Sequence, residues 1–427
     1  MASTKLQRTF TTDHGNVYKW TYSFWVKRSK ISSGDHAITA VTYSGAYQSR
    51  ISFKSDDKLE IYDYRNNSYI LQKKTNRKFR DTSAWYHIVV SNDNTQASAD
   101  DRTKIYINGV QETSFGTNNQ YSQNQKTSFN DDYPNYIGSY GSGDYFDGSM
   151  SHFHFIDGTA YAPTEFGETD STTGEWKIKT NVSVTYGTNG FFILKDGNSV
   201  TDQSGNSNNF TVGGGTLTKT EDNPSNVFAT LNPLSSSATL TTGNTTGATA
   251  DSTWRPASTT IGMLGTTGKY YAEFKVISGN NNYVGVYNLN TNFGTSQSTA
   301  DANRIAYSTY DGEIMRTLTG ESTISGLATS GSSDVVGIAI NKNDGEVKFY
   351  KNGTLIQTVS HSNITNYDLM IGCQLGYTSS SCFNFGNGYF GTTAISSAGS
   401  NGNGSLFEYD VPSGYYALNT KNINTYG

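Results

Sequence analysis

Short runs of alternating apolar and polar residues dominate the chain and predict β-strands. Residues 18–28 alternate bulky and polar side chains, as a half-buried strand does. Further strands are predicted around 50–53, 58–64, 85–90, 104–107, 134–138 and 147–155. Their regular spacing and the near-absence of helical periodicity indicate antiparallel β-sandwiches. One helical turn is expected at 162–166, where Pro163 occupies the first helical position.

Two Asn-Gly pairs mark equivalent hairpins in the two halves of the chain. Asn108-Gly109 follows Lys104-Ile-Tyr-Ile, and Asn352-Gly353 follows Lys348-Phe-Tyr-Lys. A two-residue type I′ turn needs positive φ at both central positions, which Asn-Gly adopts at low steric cost. Each hairpin follows an apolar run, at 85–90 and at 335–340. The repeat predicts an all-β chain of two sandwiches in tandem.

The predicted domain bounds follow from the glycine-rich and threonine-rich stretch between these halves. The first sandwich spans 1–215 and 216–226 is a joint, whereas the second sandwich spans 227–427 and ends in a C-terminal strand and turn. In the second, one strand near 227–231 precedes a surface loop at 235–250 that is rich in Ser, Thr and Gly. Strands resume at 268–276 and continue to 382–385.

Composition excludes several classes of function. Only 34% of the 427 residues are hydrophobic, but 13% are aromatic, which disordered chains avoid. The 31 basic and 36 acidic residues show no basic stripe, so nucleic-acid binding is not expected. No apolar run could span a bilayer, and the first residues lack the apolar core of a signal peptide. We therefore expect no membrane insertion, and residence in the cytosol or release by lysis within a particle.

Cys373 and Cys382 are the two cysteines, and they flank a short turn. A hairpin centred on 376–379 could place them opposite each other in a disulfide. Two reduced thiols on a buried strand pair are the alternative that a non-oxidising compartment favours.

The first half resembles the laminin-G/pentraxin-type concanavalin A-like module. The resemblance lies in Ser23-Phe-Trp-Val-Lys, Trp85-Tyr-His-Ile-Val-Val, Tyr106-Ile-Asn-Gly and Phe146-Asp-Gly. The opening strand and the Asp-x-Ser-Gly-Asn phrase of that family are missing from 1–17. A similar phrase follows Phe191-Phe-Ile-Leu, at 202–206. We therefore expect a circular permutation, with strands near 190–212 closing the sandwich.

The second half resembles the SPRY module, another concanavalin A-like sandwich, through residues 270–276, 283–286, 336–340 and 347–353. The two-module order, with Phe155-Ile-Asp-Gly, Phe166-Gly-Glu-Thr and Asn419-Thr-Lys-Asn, is similar to structural virion proteins of tailed phages, especially marine and cyanobacterial ones. The resemblance implies a non-enzymatic component of a virion, assembled in the host cytoplasm.

A loop–strand–loop region rich in tyrosine is the candidate carbohydrate site. Aromatic rings stack on sugar faces, and neighbouring amides and carboxylates bind hydroxyls. The alternative is that these tyrosines replace aliphatic core and mediate subunit packing. The candidate residues are Tyr133, Asn135, Tyr136, Tyr140, Asp144 and Tyr145.

Calcium is the possible metal, although no cofactor is required. Laminin-G and pentraxin modules often bind calcium at a sandwich rim, and carboxylates are its preferred ligands. Clustered Asp residues in loops more often reflect turn formation and solubility. The candidate ligands are Asp131, Asp132, Asp144 and Asp147.

Other candidate chemistry is weaker. Glucanases of this fold carry three carboxylates on one strand, and neither Glu60–Asp63 nor Glu408–Asp410 completes that set. His152 and His154 could chelate a metal from one strand face, but no third ligand is indicated. His87 is expected to pack and form hydrogen bonds within its strand.

Three functions remain in order of preference. The first is a fibre or appendage adhesin that contacts host surface polysaccharide. The second is a capsid decoration protein that binds other virion proteins, and the third is a polysaccharide-degrading enzyme. Both binding functions favour a homo-oligomer, with a trimer expected for a fibre.

Overall fold

The computed structural model describes residues 3–10, 16–195, 199–291, 293 and 303–427. The chain divides into two compact units, Met1–Lys219 and Thr220–Gly427. Each unit packs antiparallel sheets face to face, so the predicted all-β fold with two sandwiches is confirmed.

The first unit holds sixteen strands within its described residues. They are β1 Lys5–Thr9, β2 Lys19–Arg28, β3 His36–Ser44, β4 Tyr47–Phe53, β5 Lys58–Arg65, β6 Ser68–Lys78, β7 Tyr86–Asp93, β8 Thr103–Ile107, β9 Val110–Gln111, β10 Phe115–Asn119, β11 Pro134–Ile137, β12 Gly148–Asp157, β13 Gly167–Thr169, β14 Trp176–Ile178, β15 Phe191–Ile193 and β16 Thr211–Gly214. Short 3₁₀ turns lie at Ala99–Asp101 and at Pro163–Glu165, the latter where the sequence predicts a helical turn.

Two sheets enclose the first core. The eight-stranded sheet has the order β10-β6-β5-β4-β3-β11-β1-β16, and the six-stranded sheet has the order β15-β12-β2-β7-β8-β9. Alternation along β2 places Trp20, Tyr22 and Phe24 in the core and Trp25 on the outer face of the six-stranded sheet.

Strands from the end of the first unit lie in both of its sheets. β15 pairs with β12, and β16 pairs with β1. Phe191, Ile193 and Phe210 are buried in the same core as β2. Residues near 190–212 are therefore part of the first sandwich, where the permutation hypothesis expects them.

Within its described residues, the second unit holds the remaining strands and two helices. They are β17 Leu231–Ser236, β18 Thr239–Thr241, β19 Thr246–Ala248, β20 Arg255–Thr259, β21 Lys269–Ser278, β22 Asn282–Asn288, β23 Arg304–Ser308, β24 Glu313–Met315, β25 Val335–Asn341, β26 Glu346–Lys351, β27 Thr354–Ser360, α1 Ser362–Asn366, β28 Leu369–Leu375, β29 Ser380–Asn384, β30 Tyr389–Phe390, β31 Thr393–Ala394, β32 Tyr416–Ala417 and α2 Thr420–Tyr426.

The second sandwich has one sheet of order β17-β20-β28-β22-β23-β24 and one of order β18-β19-β29-β21-β25-β26-β27, to which β32 adds beside β21. The prediction of a surface loop at 235–250 is wrong, because β17, β18 and β19 form there. Threonine-rich segments gain strand partners that composition does not reveal: β19 pairs with β29. The tail ends in a helix instead of a turn, with Asn419 capping it by accepting the Asn422 N–H at 2.8 Å.

The two cysteines do not face each other. β28 and β29 belong to different sheets, so Cys373 points into the core while Cys382 lies on the outer face of the other sheet. Both thiols are free and buried, and burial raises the pKa of each to about 12. The hairpin that could have placed them opposite each other does not form. The favoured alternative, two free buried thiols, agrees with the structure, except that the two strands are not a pair.

In each unit a later segment covers the outer face of the sheet that carries the Asn-Gly hairpin. We name residues 158–190 the first covering segment and residues 389–417 the second covering segment. The first packs Phe166 and its neighbours on Val89 and Ile156. The second packs Phe407 and its neighbours on Tyr271 of β21. Among the described residues, the loop at 138–147 lies on the outer face of the eight-stranded sheet in the first unit, where Asp144 and Tyr140 contact Arg50 of β4.

Candidate functional site

Strand β11 separates the predicted site residues into groups. Tyr133 precedes this strand, whereas the loop at 138–147 follows it. Four residues at about 3.3 Å each place the two ends more than about 13 Å apart. The single platform expected from the sequence is therefore divided between the two ends of β11.

A tyrosine pair, one ring exposed and one half-buried, lies at the first end, and we name it the tyrosine rim. The register that pairs Asn135 with Val41 brings Tyr133 opposite Tyr43, and their rings stack with centroids 4.8 Å apart. Tyr43 is 68% exposed. Arg65 donates to Asp131 at 3.2 Å beside the pair. Stacked rings next to charged groups suit the recognition of a sugar ring.

Asn135 is not displayed with the tyrosines. It is 2% exposed, and its side-chain amide donates to the Tyr133 carbonyl at 2.8 Å. Asn135 therefore supports the backbone at Tyr133 from the inner side of the sheet and does not face solvent. The alternation of β11 explains this, since Tyr136 points outward and Asn135 points inward.

A second group surrounds Arg50 on the outer face of the sheet. Arg50 is 4% exposed, and its Nη1 donates to Asp144 at 2.6 Å. The guanidinium lies 5.3 Å from the centroid of the Tyr140 ring, whose hydroxyl hydrogen-bonds to Gln48. The loop at 138–147 is thereby held against the sheet. Asp35 lies 3.5 Å from Arg50 Nη2 as a further partner.

Tyrosines extend this group along the sheet. Burial raises the pKa of Tyr62 above its ordinary value despite nearby Arg50, so its neutral hydroxyl donates to Gln48 at 3.2 Å. Tyr136 lies beneath the Lys5 ammonium, 5.4 Å from its ring centroid. Tyr62 is buried, whereas Tyr136 is partly exposed to solvent.

The remaining predicted residues anchor the loop. The Tyr145 carbonyl accepts a hydrogen bond from His36 Nδ1 at 2.9 Å. Asp147 pairs with Lys30 at 3.3 Å. Both contacts fix the end of the loop at 138–147, so Tyr145 and Asp147 serve to hold this loop in place.

The structure does not bring the four predicted calcium ligands together. Asp131, Asp144 and Asp147 each pair with a different cation, at Arg65, Arg50 and Lys30. Among the described residues, no three His, Cys, Asp or Glu side chains form a group that could hold a metal ion. A cationic partner already neutralises these three carboxylates, so this arrangement gives calcium binding no support.

The carboxylate pairs considered for hydrolysis are also apart. Glu60 faces outward beside Gln72, whereas Asp63 is buried and accepts the Tyr121 hydroxyl at 2.9 Å. Glu408 lies in the second covering segment, 3.8 Å from Lys275. Asp410 accepts the Ser400 N–H at 2.6 Å. Neither pair flanks a common space, as a glycosidase would require.

His87 has the packing and hydrogen-bonding role that the sequence predicts. Its ring stacks on Trp25, with centroids 4.7 Å apart, beneath the first covering segment. Trp176 Nε1 donates to its Nδ1 at 3.0 Å, and its Nε2 lies 2.9 Å from the Ser23 hydroxyl. Since Nδ1 accepts, Nε2 carries the proton of a neutral ring. Burial lowers the pKa of His87 to about 3.

His154 is engaged by side chains of the first unit. Its Nδ1 lies 2.9 Å from the Tyr186 hydroxyl, and its ring stacks on Phe192 at 3.9 Å. A β-bulge between Ser151 and His154 changes the alternation of β12, with His152 at φ 47°. The simple i, i+2 spacing of the two histidines therefore does not describe their placement.

Sequence reasoning missed Tyr43, Gln48 and Arg50. Tyr43 lies in β3, a strand that the sequence analysis did not include, and it is distant in sequence from Tyr133. The alternation Gln48-Ser-Arg50 in β4 was the available signal, because it places both long polar side chains on the outer face. Nothing local indicated that this face meets the loop at 138–147.

Family comparisons agree with the two-unit division. Residues 7–165 match the profile of the concanavalin A-like lectin/glucanases superfamily, and residues 269–388 match that of the SPRY domain. The chain carries a concanavalin A-like module followed by a SPRY module. Members of these families are typically non-catalytic binding modules. The first match ends before β15 and β16, which complete the sandwich.

Solved structures similar to the chain include both kinds of module. The SPRY domain of human HERC1 is 16% identical and covers 36% of this chain and 96% of its own, with a TM-score of 0.31. The SAP-like pentraxin from Limulus polyphemus is 17% identical and covers 38% and 72%, with a TM-score of 0.28. The TRIM65 PSpry domain is 13% identical and covers 36% and 91%, with a TM-score of 0.30. A search of curated protein sequences found no match.

In the described part of the chain, no helix has the length and apolar character needed to cross a bilayer.

Proposed function

We propose that this protein is a non-enzymatic structural component of a tailed-phage virion, and that its first module contacts host-surface glycans as part of a fibre or appendage. The observation that carries the glycan proposal is the tyrosine rim, where the exposed Tyr43 stacks on the half-buried Tyr133 beside the Arg65–Asp131 pair. The module order and the motifs around Phe155, Phe166 and Asn419 support a virion source.

Two features favour binding over hydrolysis. The aromatic pair lies at a strand end, where loop residues can meet a polysaccharide without a deep cleft. The carboxylates considered for hydrolysis instead hold backbone groups or cations: Asp410 bonds Ser400, and Glu408 lies near Lys275. A flat aromatic surface with fixed polar neighbours suits a lectin-like contact.

Glycan screening of the full chain tests the binding proposal. Tyr43→Ala and Tyr133→Ala should each weaken binding by about fivefold, since one aromatic contact contributes about 1 kcal/mol. Tyr310→Ala is the matched control, because Tyr310 is a 55% exposed tyrosine of the second unit. Equal loss in all three variants, or none in the rim variants, would reject the tyrosine rim as the site.

Cryo-electron microscopy of intact particles tests the virion proposal. Density at tail or vertex tips, with the tyrosine rim facing outward, would support host attachment. Density across capsomers would instead favour a decoration protein bound to other virion proteins. Absence of the chain from purified particles would refute both forms of the proposal.

A further inference from the structure

Three Asn-Gly pairs of the chain lie in the same kind of turn. Asn108, Asn352 and Asn403 have φ values of 49°, 48° and 51°, and the glycine after each also has positive φ. Positive φ at both central positions is typical of a type I′ turn. At Asn403 the turn is closed by the Ser405 N–H, which donates to the Gly402 carbonyl at 2.9 Å. Since dipeptide and backbone are shared, any difference in reactivity arises from the surroundings.

An asparagine followed by glycine can modify itself. The backbone nitrogen of the glycine bonds to Cγ of the asparagine, and Nδ2 leaves as ammonia with the proton of that N–H. Water then adds to one of the two carbonyls of the resulting succinimide ring and breaks a C–N bond, which leaves aspartate or isoaspartate. Glycine favours the first step because it has no Cβ to hinder the approach of its nitrogen.

A closed type I′ turn opposes this reaction. Its backbone angles direct the glycine nitrogen away from Cβ of the asparagine, so the backbone must rotate before the ring can form. The rate therefore depends on how easily each turn opens. Local opening is easiest where few contacts have to break.

The turns at Asn108 and Asn352 are held by neighbouring parts of the chain. Asn108 Oδ1 accepts the His87 N–H at 2.8 Å, and the Trp176 ring lies on the turn glycine. Asn352 Oδ1 accepts an N–H of β25 at 2.9 Å, and its Nδ2 donates to a carboxylate at 2.7 Å. The Tyr409 ring lies on its glycine. Opening either turn breaks these hydrogen bonds and displaces a ring.

The turn at Asn403 is held only locally by the contacts that the structure describes. Asn403 and Gly404 are both exposed, and a Cβ at Gly404 would meet nothing within 4 Å. The Asn403 Nδ2 donates to the Asn401 carbonyl at 3.1 Å. Both this bond and the bond that closes the turn lie within residues 401–405. This turn can therefore open without disturbing a strand or an aromatic ring.

The remaining three Asn-Gly pairs are less suited to the reaction. Asn189 is 2% exposed, and the glycine after Asn387 is buried. Asn401 is exposed, but its Nδ2 donates to the Val411 carbonyl at 3.2 Å and so ties the side chain to a later part of the second covering segment.

We propose that Asn403 is a site of spontaneous deamidation, at which the folded chain converts asparagine to isoaspartate and aspartate while Asn108 and Asn352 stay intact. Water is the only co-reactant. The product adds a negative charge to the second covering segment, and isoaspartate also passes the backbone through Cβ, so the original turn cannot re-form. This inference does not depend on the glycan or virion proposals, because it rests on turn chemistry within the second unit.

Peptide mapping by mass spectrometry tests the site. The purified full chain is incubated at pH 8, and a sample at pH 5 serves as the slow reference because ring closure requires loss of the glycine N–H proton. The peptide that contains 401–404 should accumulate isoaspartate and aspartate at position 403. Asn108 and Asn352 should react at least about tenfold more slowly, because their turns must break additional contacts to open.

The chain unfolded in urea is the matched control, since it has the same Asn-Gly pairs without the turns. Asn108, Asn352 and Asn403 should then react at similar rates. Asn403→Gln should remove the product in the folded chain, because the longer side chain would have to close a larger ring. Circular dichroism checks that this variant folds.

Tyr409→Ala tests the effect of the surroundings directly, because it uncovers Gly353 and keeps the backbone N–H that Glu273 accepts. It should raise the deamidation rate at Asn352 by about fivefold, as expected for the loss of one aromatic contact. An unchanged rate at Asn352 would overturn the argument that surrounding contacts set the reactivity of these turns.

Three further results would overturn the proposal. One is an equal rate at Asn108, Asn352 and Asn403 in the folded protein. Another is reaction at Asn401 while Asn403 stays intact. The third is a folded chain with unmodified Asn403 after the same period in which the unfolded chain has reacted.

Discussion

A single buried carboxylate holds the second covering segment in place. Glu273 accepts the backbone N–H groups of Glu408 at 2.9 Å and Tyr409 at 2.8 Å, and the Asn384 side chain at 3.1 Å. Three donors satisfy a group that would otherwise be costly to bury. The residue looks like a catalytic acid by burial alone, yet its neighbours show that it fastens the chain.

Stability should therefore fall as pH rises through the acid range. Burial raises the pKa of Glu273 to about 7 from 4.5, although its three donors lower it. Between these values the unfolded chain loses the proton first, so ionisation favours unfolding by up to about 3 kcal/mol. Glu273→Gln cannot ionise and should remove this contribution. Urea unfolding at pH 5 and pH 8 measures it.

Glu408→Gln is the control for that measurement, since Glu408 faces the same site but lies beside Lys275. It should keep most of the pH dependence. If the unfolding free energies of Glu273→Gln and of the unmodified protein change equally with pH, Glu273 does not cause the pH dependence.

His87 should give the opposite response in the first unit. Its pKa is lowered by burial to about 3 from 6.5, so the unfolded chain takes up a proton first as pH falls. The free energy of unfolding should therefore be about 2 kcal/mol lower at pH 5 than above pH 6.5. The free energy of unfolding should fall less steeply with decreasing pH in His87→Gln than in the unmodified protein. If the unfolding free energy depends on pH equally steeply in both proteins, the prediction is contradicted. His361→Asn is the control, because it keeps a hydrogen-bond acceptor at the start of α1.

At the scale of elements, both units use the Asn-Gly turn in the same way. Asn108 and Asn352 have φ values of 49° and 48°, and each accepts a backbone N–H from a neighbouring strand, at His87 and Val335. An aromatic ring of the covering segment then lies on the turn glycine. A Cβ at Gly109 would lie 2.5 Å from the Trp176 ring, and one at Gly353 would lie 2.8 Å from the Tyr409 ring.

Gly109→Ala should therefore destabilise the first unit more than its backbone angle alone implies. The positive φ costs about 1 kcal/mol, and the clash with Trp176 adds roughly 1–3 kcal/mol. Gly141→Ala is the matched control, because Gly141 also has positive φ but meets nothing within 4 Å. Denaturant unfolding measures both. Equal losses would mean that Trp176 moves aside without cost.

At the scale of the whole chain, the core of the first unit includes residues that lie beyond the end of the family match. β15 and β16 pair with β12 and β1, so the sheets are completed from the end of the unit. This long-range pairing means that sequence similarity ending at residue 165 marks the recognisable part of the module but not its physical boundary.

Truncation makes that boundary testable. A chain ending at residue 180 loses Phe191, Ile193 and Phe210 from the core, each contributing roughly 1.5–3 kcal/mol by burial. It should unfold without a cooperative transition, whereas residues 1–219 should melt cooperatively. Calorimetry compares the two. A cooperative transition for 1–180 at the same temperature would show that the closing strands are dispensable.

The sequence by itself determined the β-class, the two-module order and the Asn-Gly turns. Alternation, turn formation and the preference of Pro163 for a helical start act between residues a few positions apart, so they are readable along the chain. The sequence also indicated the strands near 190–212 by their similarity to a family phrase. It did not indicate the strands at 231–248, whose threonine-rich segments form strands through distant partners.

The tertiary structure alone decided which side chains are displayed and which are engaged. Asn135 is buried, Asp144 is paired with Arg50, and Tyr133 meets Tyr43 because strand pairing joins residues far apart in sequence. Burial and charge pairing depend on those distant neighbours, and a local pattern carries no record of them. The fold class could therefore be predicted from the sequence. Which side chains reach the surface is decided only when the strands pair into sheets.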